Sequence, residues 1–239
     1  MPVTPQLYTA RLPGGAAAVM DTRTRRGQWR HFNATAAHLW HQLTSGTPLD
    51  QVLDDLIDHF ARQGADRHTA RADLTALTGQ LGELGLLDAP AAPAPHPAGE
   101  QPIRPPLPET TALTAADRAA GVLGLAAALL LLRCAPIRTS ITAAHALTRA
   151  RRRPAAAHEA DLLLLAVRRA GLSWPGRSAC LEESLGCFFA AWLRGRRVTW
   201  VIGARTAPAA AHAWIQAGEE VIGQDPSDRV WPYTPALLI

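Results

Sequence analysis

The sequence contains no lysine, and all 24 basic residues among its 239 residues are arginine. This usage indicates a GC-rich coding bias rather than selection for phosphate contacts. The positive charge is also uneven, since residues 1–88 carry 8 arginines against 9 acidic residues and residues 109–239 carry 15 against 10. A formal net charge of +4 is therefore no sign of a phosphate-binding surface, and we expect no nucleic-acid partner.

Cysteine and long apolar runs are scarce as well. The three cysteines, Cys134, Cys180 and Cys187, are too few for a disulfide framework, and their odd number also argues against one. This low cysteine content is typical of a protein in a reducing compartment. No secretory signal is readable at the start, so we expect a cytoplasmic protein. The longest apolar run, residues 119–132, has 14 residues, whereas a membrane-spanning helix needs about 20. It predicts a buried core helix and no membrane association.

Proline is concentrated in one place. Eight of the twenty residues in 89–108 are proline, and alanine is the next most common residue there. This composition favours an extended, semi-rigid chain over a packed core. It predicts a linker at 89–108 between a first domain, residues 1–88, and a second, residues 109–239. We expect the linker to hold the domains tens of ångströms apart, at about 3.1 Å per extended residue, with some freedom of movement.

The first domain has the pattern of three strands followed by three helices. Strand-like runs occur near residues 7–12, 16–21 and 29–32. Asn33 is placed to cap a first helix, the Thr47 hydroxyl precedes Pro48 at the start of a second, and Asp66 caps a third. The pattern predicts a small winged-helix-like domain within an α+β protein.

Four segments of this domain carry a family resemblance. They are HFN at 31–33, AAHLW at 36–40, TPL at 47–49 and LGELGLL at 81–87. In this order they resemble the PqqD-like recognition element for precursor peptides. The resemblance implies that a leader peptide adds as an extra strand beside the hairpin and against the third helix.

The positions that this resemblance assigns to the leader-binding groove are Trp29, His31, Phe32, Arg71 and Leu74. An alternative for Phe32 and Leu74 is a role in the hydrophobic core. Winged helices also bind DNA, but a domain with one more acidic residue than arginine lacks the cations that phosphate contacts need. Peptide binding is therefore the stronger hypothesis.

The second domain contains a possible catalytic triad. After helical patterns at 114–133, 141–153 and 155–170, a loop leads into a helix whose first turn holds Cys180, where the helix dipole favours a thiolate. His212 follows on a strand-like run, and Asp225 ends the next one. Nucleophile, proton acceptor and orienting carboxylate are the three roles of a triad. The order of these three residues along the chain is compatible with a transglutaminase-like, papain-related cysteine peptidase or acyltransferase.

Each candidate has a structural alternative. His212 could be a buried, satisfied histidine, and Asp225 could be a turn former, with Asp228 the nearest competitor and Gln224 or a backbone carbonyl as a further orienting group. Cys134 and Cys187 are expected to be core residues. Cysteine and histidine show no zinc-finger spacing, so we expect neither metal nor cofactor.

Four segments of the second domain carry a more specific resemblance. They are WPGR at 174–177, CLEESL at 180–185, VIG at 201–203 and AHAW at 211–214. They are similar to the transglutaminase-like B protein that removes leader peptides in lasso peptide biosynthesis, over residues 115–228. Ala209 stands where that family often has an aromatic residue, which leaves the substrate contacts there open.

This resemblance implies a specific function and partners. A lasso precursor peptide would be bound by the first domain and cut by the second. The freed core would then pass to an ATP-dependent, asparagine-synthetase-like macrolactam cyclase. Two other hypotheses remain open, namely a peptide acyltransferase with the same triad, and a non-enzymatic peptide carrier or DNA-binding regulator.

Overall fold

The first part of the chain folds into a three-stranded antiparallel sheet and three helices. The computed structural model describes residues 5–95, 101–224 and 233–239. The strands are β1 (Leu7–Arg11), β2 (Ala17–Asp21) and β3 (Gln28–Phe32), and the helices are α1 (Ala34–Thr44), α2 (Leu49–Arg62) and α3 (Arg67–Glu83). The sheet order is β1-β2-β3, so β3 is an edge strand. The six predicted elements are confirmed.

Local capping residues determine where two of the three helices in the first part of the chain begin. The Asn33 side chain accepts a hydrogen bond from the Ala36 amide, and Asp66 accepts one from Thr69, as predicted for capping residues. Thr47 does not cap α2, because its hydroxyl lies 3.0 Å from the side-chain oxygen of Gln42 instead. Pro48 occupies the capping position and offers no side-chain hydrogen bond, so the prediction for Thr47 is wrong.

In its described residues, the second part of the chain contains four helices and a four-stranded antiparallel sheet. Its elements are α4 (Ala115–Cys134), α5 (Ile137–Thr148), β4 (Arg153–Pro154), α6 (Ala157–Leu172), α7 (Cys180–Leu193), β5 (Arg196–Arg197), β6 (Thr199–Thr206), β7 (Ala209–Ala217), β8 (Glu220–Ile222) and β9 (Thr234–Leu238). The sheet order is β8-β7-β6-β9, and β4 pairs with β5. The chain is an α+β protein, as predicted.

The apolar helix α4 packs closely on two other helices through glycines. A Cβ atom added at Gly124 would lie 2.4 Å from the Gly186 carbonyl oxygen of α7, and one at Gly121 would lie 2.6 Å from the backbone of Ala166 in α6. By length and composition alone α4 could cross a membrane, with a mean hydropathy of 1.7, and 33% of its apolar window is buried. One such helix is weak evidence for a membrane protein, because core helices pass the same test.

The two parts of the chain share one hydrophobic core. Tyr8, Ala10 and Met20 of the first sheet lie in the same buried cluster as side chains of all four later helices and of the second sheet. The Arg25 carbonyl also accepts a hydrogen bond of 2.8 Å from the Ile137 amide. The expectation that the linker holds the two domains tens of ångströms apart is therefore wrong.

Both described ends of the proline-rich segment pair with a sheet edge. Ala91 lies parallel to Leu7 of β1, where the Ala92 amide donates to the Leu7 carbonyl over 2.8 Å. Ile103 lies parallel to Val221 of β8, whose amide donates to the Pro102 carbonyl over 2.8 Å. Residues 102–104 therefore extend the second sheet at β8, although they belong to the predicted linker.

Candidate active site and adjoining groove

Cys180 is the first residue of α7, at the end of a loop formed by residues 173–179. The Ala179 amide donates a hydrogen bond of 3.1 Å to the Glu182 carboxylate, which fixes the start of the helix. Cys187 is fully buried, as predicted for a core residue. Cys134 is exposed, so the prediction of a core position there is wrong.

The environment of Cys180 raises the pKa of its thiol. Burial raises the pKa of the Cys180 thiol, whereas a hydrogen bond from the backbone of Ala213 lowers it and the nearby charges of Glu182 and Glu183 raise it further. The net direction is upward, opposite to the effect expected from the helix dipole. A base is therefore needed to remove the proton before the sulfur can act as a nucleophile.

His212 is the candidate base, one residue before Ala213 on β7. Its ring stacks on Trp214 with the centroids 5.9 Å apart, and the Tyr233 ring lies 5.1 Å away. The Nε2 atom is 3.1 Å from the Oε1 atom of Gln224. The imidazole is therefore hydrogen-bonded to the Gln224 side chain in this arrangement.

Gly203 makes room for these rings. It lies opposite His212 in the β6–β7 register. A Cβ atom at this position would lie 2.4 Å from the Thr234 carbonyl oxygen and 2.8 Å from the Trp214 indole. A side chain here would therefore displace either β9 or the indole on which the imidazole stacks.

We expect Gly203→Ala to reduce the free energy of unfolding by about 1–3 kcal/mol, the usual cost of overpacking, and to slow any reaction that needs His212. Gly79→Ala on α3 is the control, because its added Cβ atom meets nothing within 4 Å. That control should stabilise the protein by up to about 1 kcal/mol. Urea unfolding of both variants measures the difference, and equal stabilities would contradict the close approach at Gly203.

A groove of about 660 Å³ lies between β3 and the three helices of the first part. His31, Phe32 and Leu74 line it, so the structure brings together three of the five residues predicted to bind a leader. The other two lie elsewhere. Trp29 packs against the shared core, and Arg71 pairs with Asp54 of α2 at 2.5 Å.

A chain of contacts links the groove to the candidate catalytic residues. His31, which lines the groove, has its Nε2 atom 3.2 Å from the carbonyl oxygen of Arg205 at the end of β6. The Arg205 guanidinium lies 5.2 Å from the centroid of the Tyr233 ring, which itself contacts His212. His31 of the groove and His212 are therefore connected through Arg205 and Tyr233.

The predicted third residue, Asp225, and its competitor Asp228 lie outside the described residues, so that choice remains a prediction. Tyr233 was not predicted as a residue of the site, because no sequence pattern indicated the strand β9 that begins directly after it. Within residues 5–95, 101–224 and 233–239, no group of three or more His, Cys, Asp or Glu side chains could hold a metal ion.

Two family models match the chain. The model for coenzyme PQQ synthesis protein D (PqqD) matches residues 17–87, and the model for the transglutaminase-like superfamily matches residues 121–237. No curated protein and no solved structure matches it. The two resemblances noted in the sequence are therefore confirmed at the level of these domains. Their combination indicates peptide binding together with cysteine-protease-like or acyltransferase-like chemistry.

Proposed function

We propose that this protein, a PqqD-like domain fused to a transglutaminase-like domain, is a leader peptidase that acts on a lasso precursor peptide. One observation carries the proposal. The Cys180 thiol lies against the backbone of Ala213, one residue from an imidazole whose Nε2 atom is hydrogen-bonded to Gln224. A thiol and an imidazole arranged in this way support nucleophilic catalysis on a carbonyl group.

Binding is assigned to the groove beside β3. An edge strand offers unpaired backbone groups, so an extended leader can add to the sheet while its side chains enter the groove against α3. Arg205 and Tyr233 connect this groove to His212, and the leader bound there is proposed to extend so that its junction with the core reaches the thiol. Holding the substrate in this way converts cleavage into a reaction within one complex.

The reaction proceeds through a thioester. His212 takes the proton of Cys180, and the sulfur attacks the scissile carbonyl, while backbone N–H groups at the start of α7 stabilise the oxyanion. The C–N bond breaks as the imidazolium returns its proton to the leaving amine of the core. Water then hydrolyses the thioester and releases the leader as a free acid. Asp225 is proposed to orient the imidazole.

The released core carries a free amino terminus, the group that a macrolactam-forming enzyme consumes. The partner we propose is an ATP-dependent, asparagine-synthetase-like cyclase, and the site of action is the cytoplasm. The peptidase itself needs no cofactor in this mechanism, because each proton and electron pair comes from the side chains, the peptide or water.

The product masses test this function. Purified protein incubated with a lasso precursor should yield the leader as a free acid and the core with a free amine. A leader joined to an added amine would instead identify an acyltransferase, since the same thioester would then be resolved by the amine. A precursor that is bound but stays intact would identify a non-enzymatic peptide carrier. Either result would contradict the peptidase proposal.

A further inference from the structure

One face of the helix α4 is uncovered. Its apolar window is only 33% buried, so the prediction of a buried core helix holds for the face that packs on α6 and α7. Val122, Leu123 and Leu130 are exposed on the other face, and the two leucines expose 59% and 64% of their surface. A helix that is apolar on every side is normally covered on every side. The exposed face of α4 therefore has the character of a binding surface.

Two neighbouring residues enlarge this face. Trp174 lies beside Val122 and Leu130 around a cavity of about 450 Å³ between α4 and the end of α6. Leu172, two residues before Trp174, is 78% exposed. We call the five side chains the α4 patch, which consists of Val122, Leu123, Leu130, Leu172 and Trp174. They are five of the nine large apolar side chains that are exposed in the described residues. The exposed apolar surface of the protein is therefore concentrated in one place.

Arginines lie at both ends of the α4 patch. With 3.6 residues per turn, Arg118 and Arg133 fall on the same face of α4 as the exposed aliphatic residues, about 22 Å apart along the axis. The Arg133 guanidinium lies over the Trp174 ring, 4.8 Å from its centroid. Neither arginine belongs to an ion pair between described residues. Asp117, the only acidic residue of α4, is buried and pairs with Arg194 at 3.0 Å. The patch is therefore apolar along its length and positive at its ends.

These charges favour one kind of partner. If two copies of α4 packed together antiparallel, Arg118 of each copy would lie beside Arg133 of the other, and in a parallel pair each arginine would lie beside its counterpart. Like charges would meet in both arrangements. A membrane with anionic lipids offers the complementary surface, because its hydrocarbon takes up aliphatic side chains and its head groups attract arginine. Tryptophan is enriched at the boundary between these two layers.

We propose that the α4 patch binds the surface of a membrane that contains anionic lipids. The helix lies in the plane of the interface, with its exposed aliphatic side chains in the acyl boundary. Arg118 and Arg133 extend to the lipid phosphates, and Trp174 lies at the boundary. The helix does not cross the membrane, because its opposite face packs on α6 and α7. Membrane binding is independent of the proposed peptidase activity.

Sedimentation with lipid vesicles tests the proposal. The purified full chain is mixed with sucrose-loaded vesicles of phosphatidylglycerol and phosphatidylcholine in equal amounts, and with vesicles of phosphatidylcholine alone. We expect partitioning to the neutral vesicles to be weaker by roughly tenfold or more, because they lack the charge that attracts arginine. Raising the salt concentration to about 0.5 M should weaken partitioning to the anionic vesicles in the same way, because salt screens exposed charges.

Variants of exposed residues locate the contact. Leu123→Ser should lower partitioning to the anionic vesicles by about tenfold, since it removes an aliphatic group that the membrane covers. Arg118→Gln should lower it by about fivefold, the effect of one arginine near an anionic surface. Leu123→Glu should lower it further than either. Leu49→Glu is the matched control, because Leu49 is exposed on α2 and receives the same charge outside the patch. It should partition like the native chain, and all variants should keep native thermal unfolding.

The labelling rate of Cys134 gives a second readout, because this exposed residue lies at the end of α4 and lines the same cavity as Trp174. Anionic vesicles should slow its reaction with a charged maleimide. An unchanged rate, no partitioning of the native chain, or equal partitioning of Leu123→Glu and Leu49→Glu would overturn the proposal. A native chain that sediments as a dimer and becomes a monomer in Leu123→Glu would also overturn it, because the patch would then belong to an interface between two copies.

Discussion

Cys180→Ala should abolish leader cleavage, with a fall in rate of about 10⁴-fold or more, because no other group replaces a lost nucleophile. Cys187→Ala should keep most of the activity, since Cys187 is fully buried in the core. Cys134→Ser should be equally active, because Cys134 is exposed at the end of α4. The rates are measured by mass spectrometry of the precursor and the released leader.

The two control cysteines make this experiment decisive. Cleavage at the native rate in Cys180→Ala would show that the thioester mechanism is wrong. Loss of activity in a folded Cys187→Ala protein would mean that the nucleophile has been misassigned. Alkylation of the cysteines alone is weaker evidence for the identity of the nucleophile. Burial raises the pKa of the Cys180 thiol, and the exposed Cys134 is expected to compete for the reagent.

Ala70→Arg should reduce the affinity for a leader peptide by roughly tenfold or more, since a loss of about 1.4 kcal/mol of binding free energy has this effect. Ala70 lies on α3 and lines the groove where the leader is proposed to add to β3. Arginine is a good helix former, so the change fills the groove without disfavouring the helix. Fluorescence anisotropy with a labelled leader peptide measures the affinity.

Ala76→Arg is the matched control for the groove variant. Ala76 lies on the same helix and is exposed, and it is outside the lining of the groove. It should bind the leader as tightly as the native protein, and both variants should keep native thermal unfolding. Equal affinities for the two variants would contradict the assignment of this groove to the leader.

Point variants are preferable to separated domains for this protein. A chain cut at residue 109 loses the pairing of residues 102–104 with β8, and with it the Arg104 carbonyl that accepts a hydrogen bond from the Gln224 amide. It also exposes the part of the core that Tyr8, Ala10 and Met20 cover. Weak activity of such a fragment would therefore not distinguish a missing recognition domain from a damaged active site.

Local sequence patterns determined much of the secondary structure and the domain composition of this protein. Side chains that cap helix ends act within three or four residues, so Asn33 and Asp66 predicted the starts of α1 and α3 correctly. A helix that begins at Cys180 and a strand that carries His212 also followed from periodicity alone. The two-domain composition was likewise readable, because characteristic segments keep their order along the chain.

Contacts between distant segments decided the rest. The strand β9 forms by pairing with β6, more than thirty residues earlier, and its own sequence carries little signal. Apolar residues predict burial but not the partner that covers them, so the shared core replaced the expected separation of the domains. The upward shift in the pKa of Cys180 follows from burial, and the contact between Gln224 and His212 joins residues twelve positions apart in the chain. Neither effect is local, because each depends on groups that only the folded chain brings together.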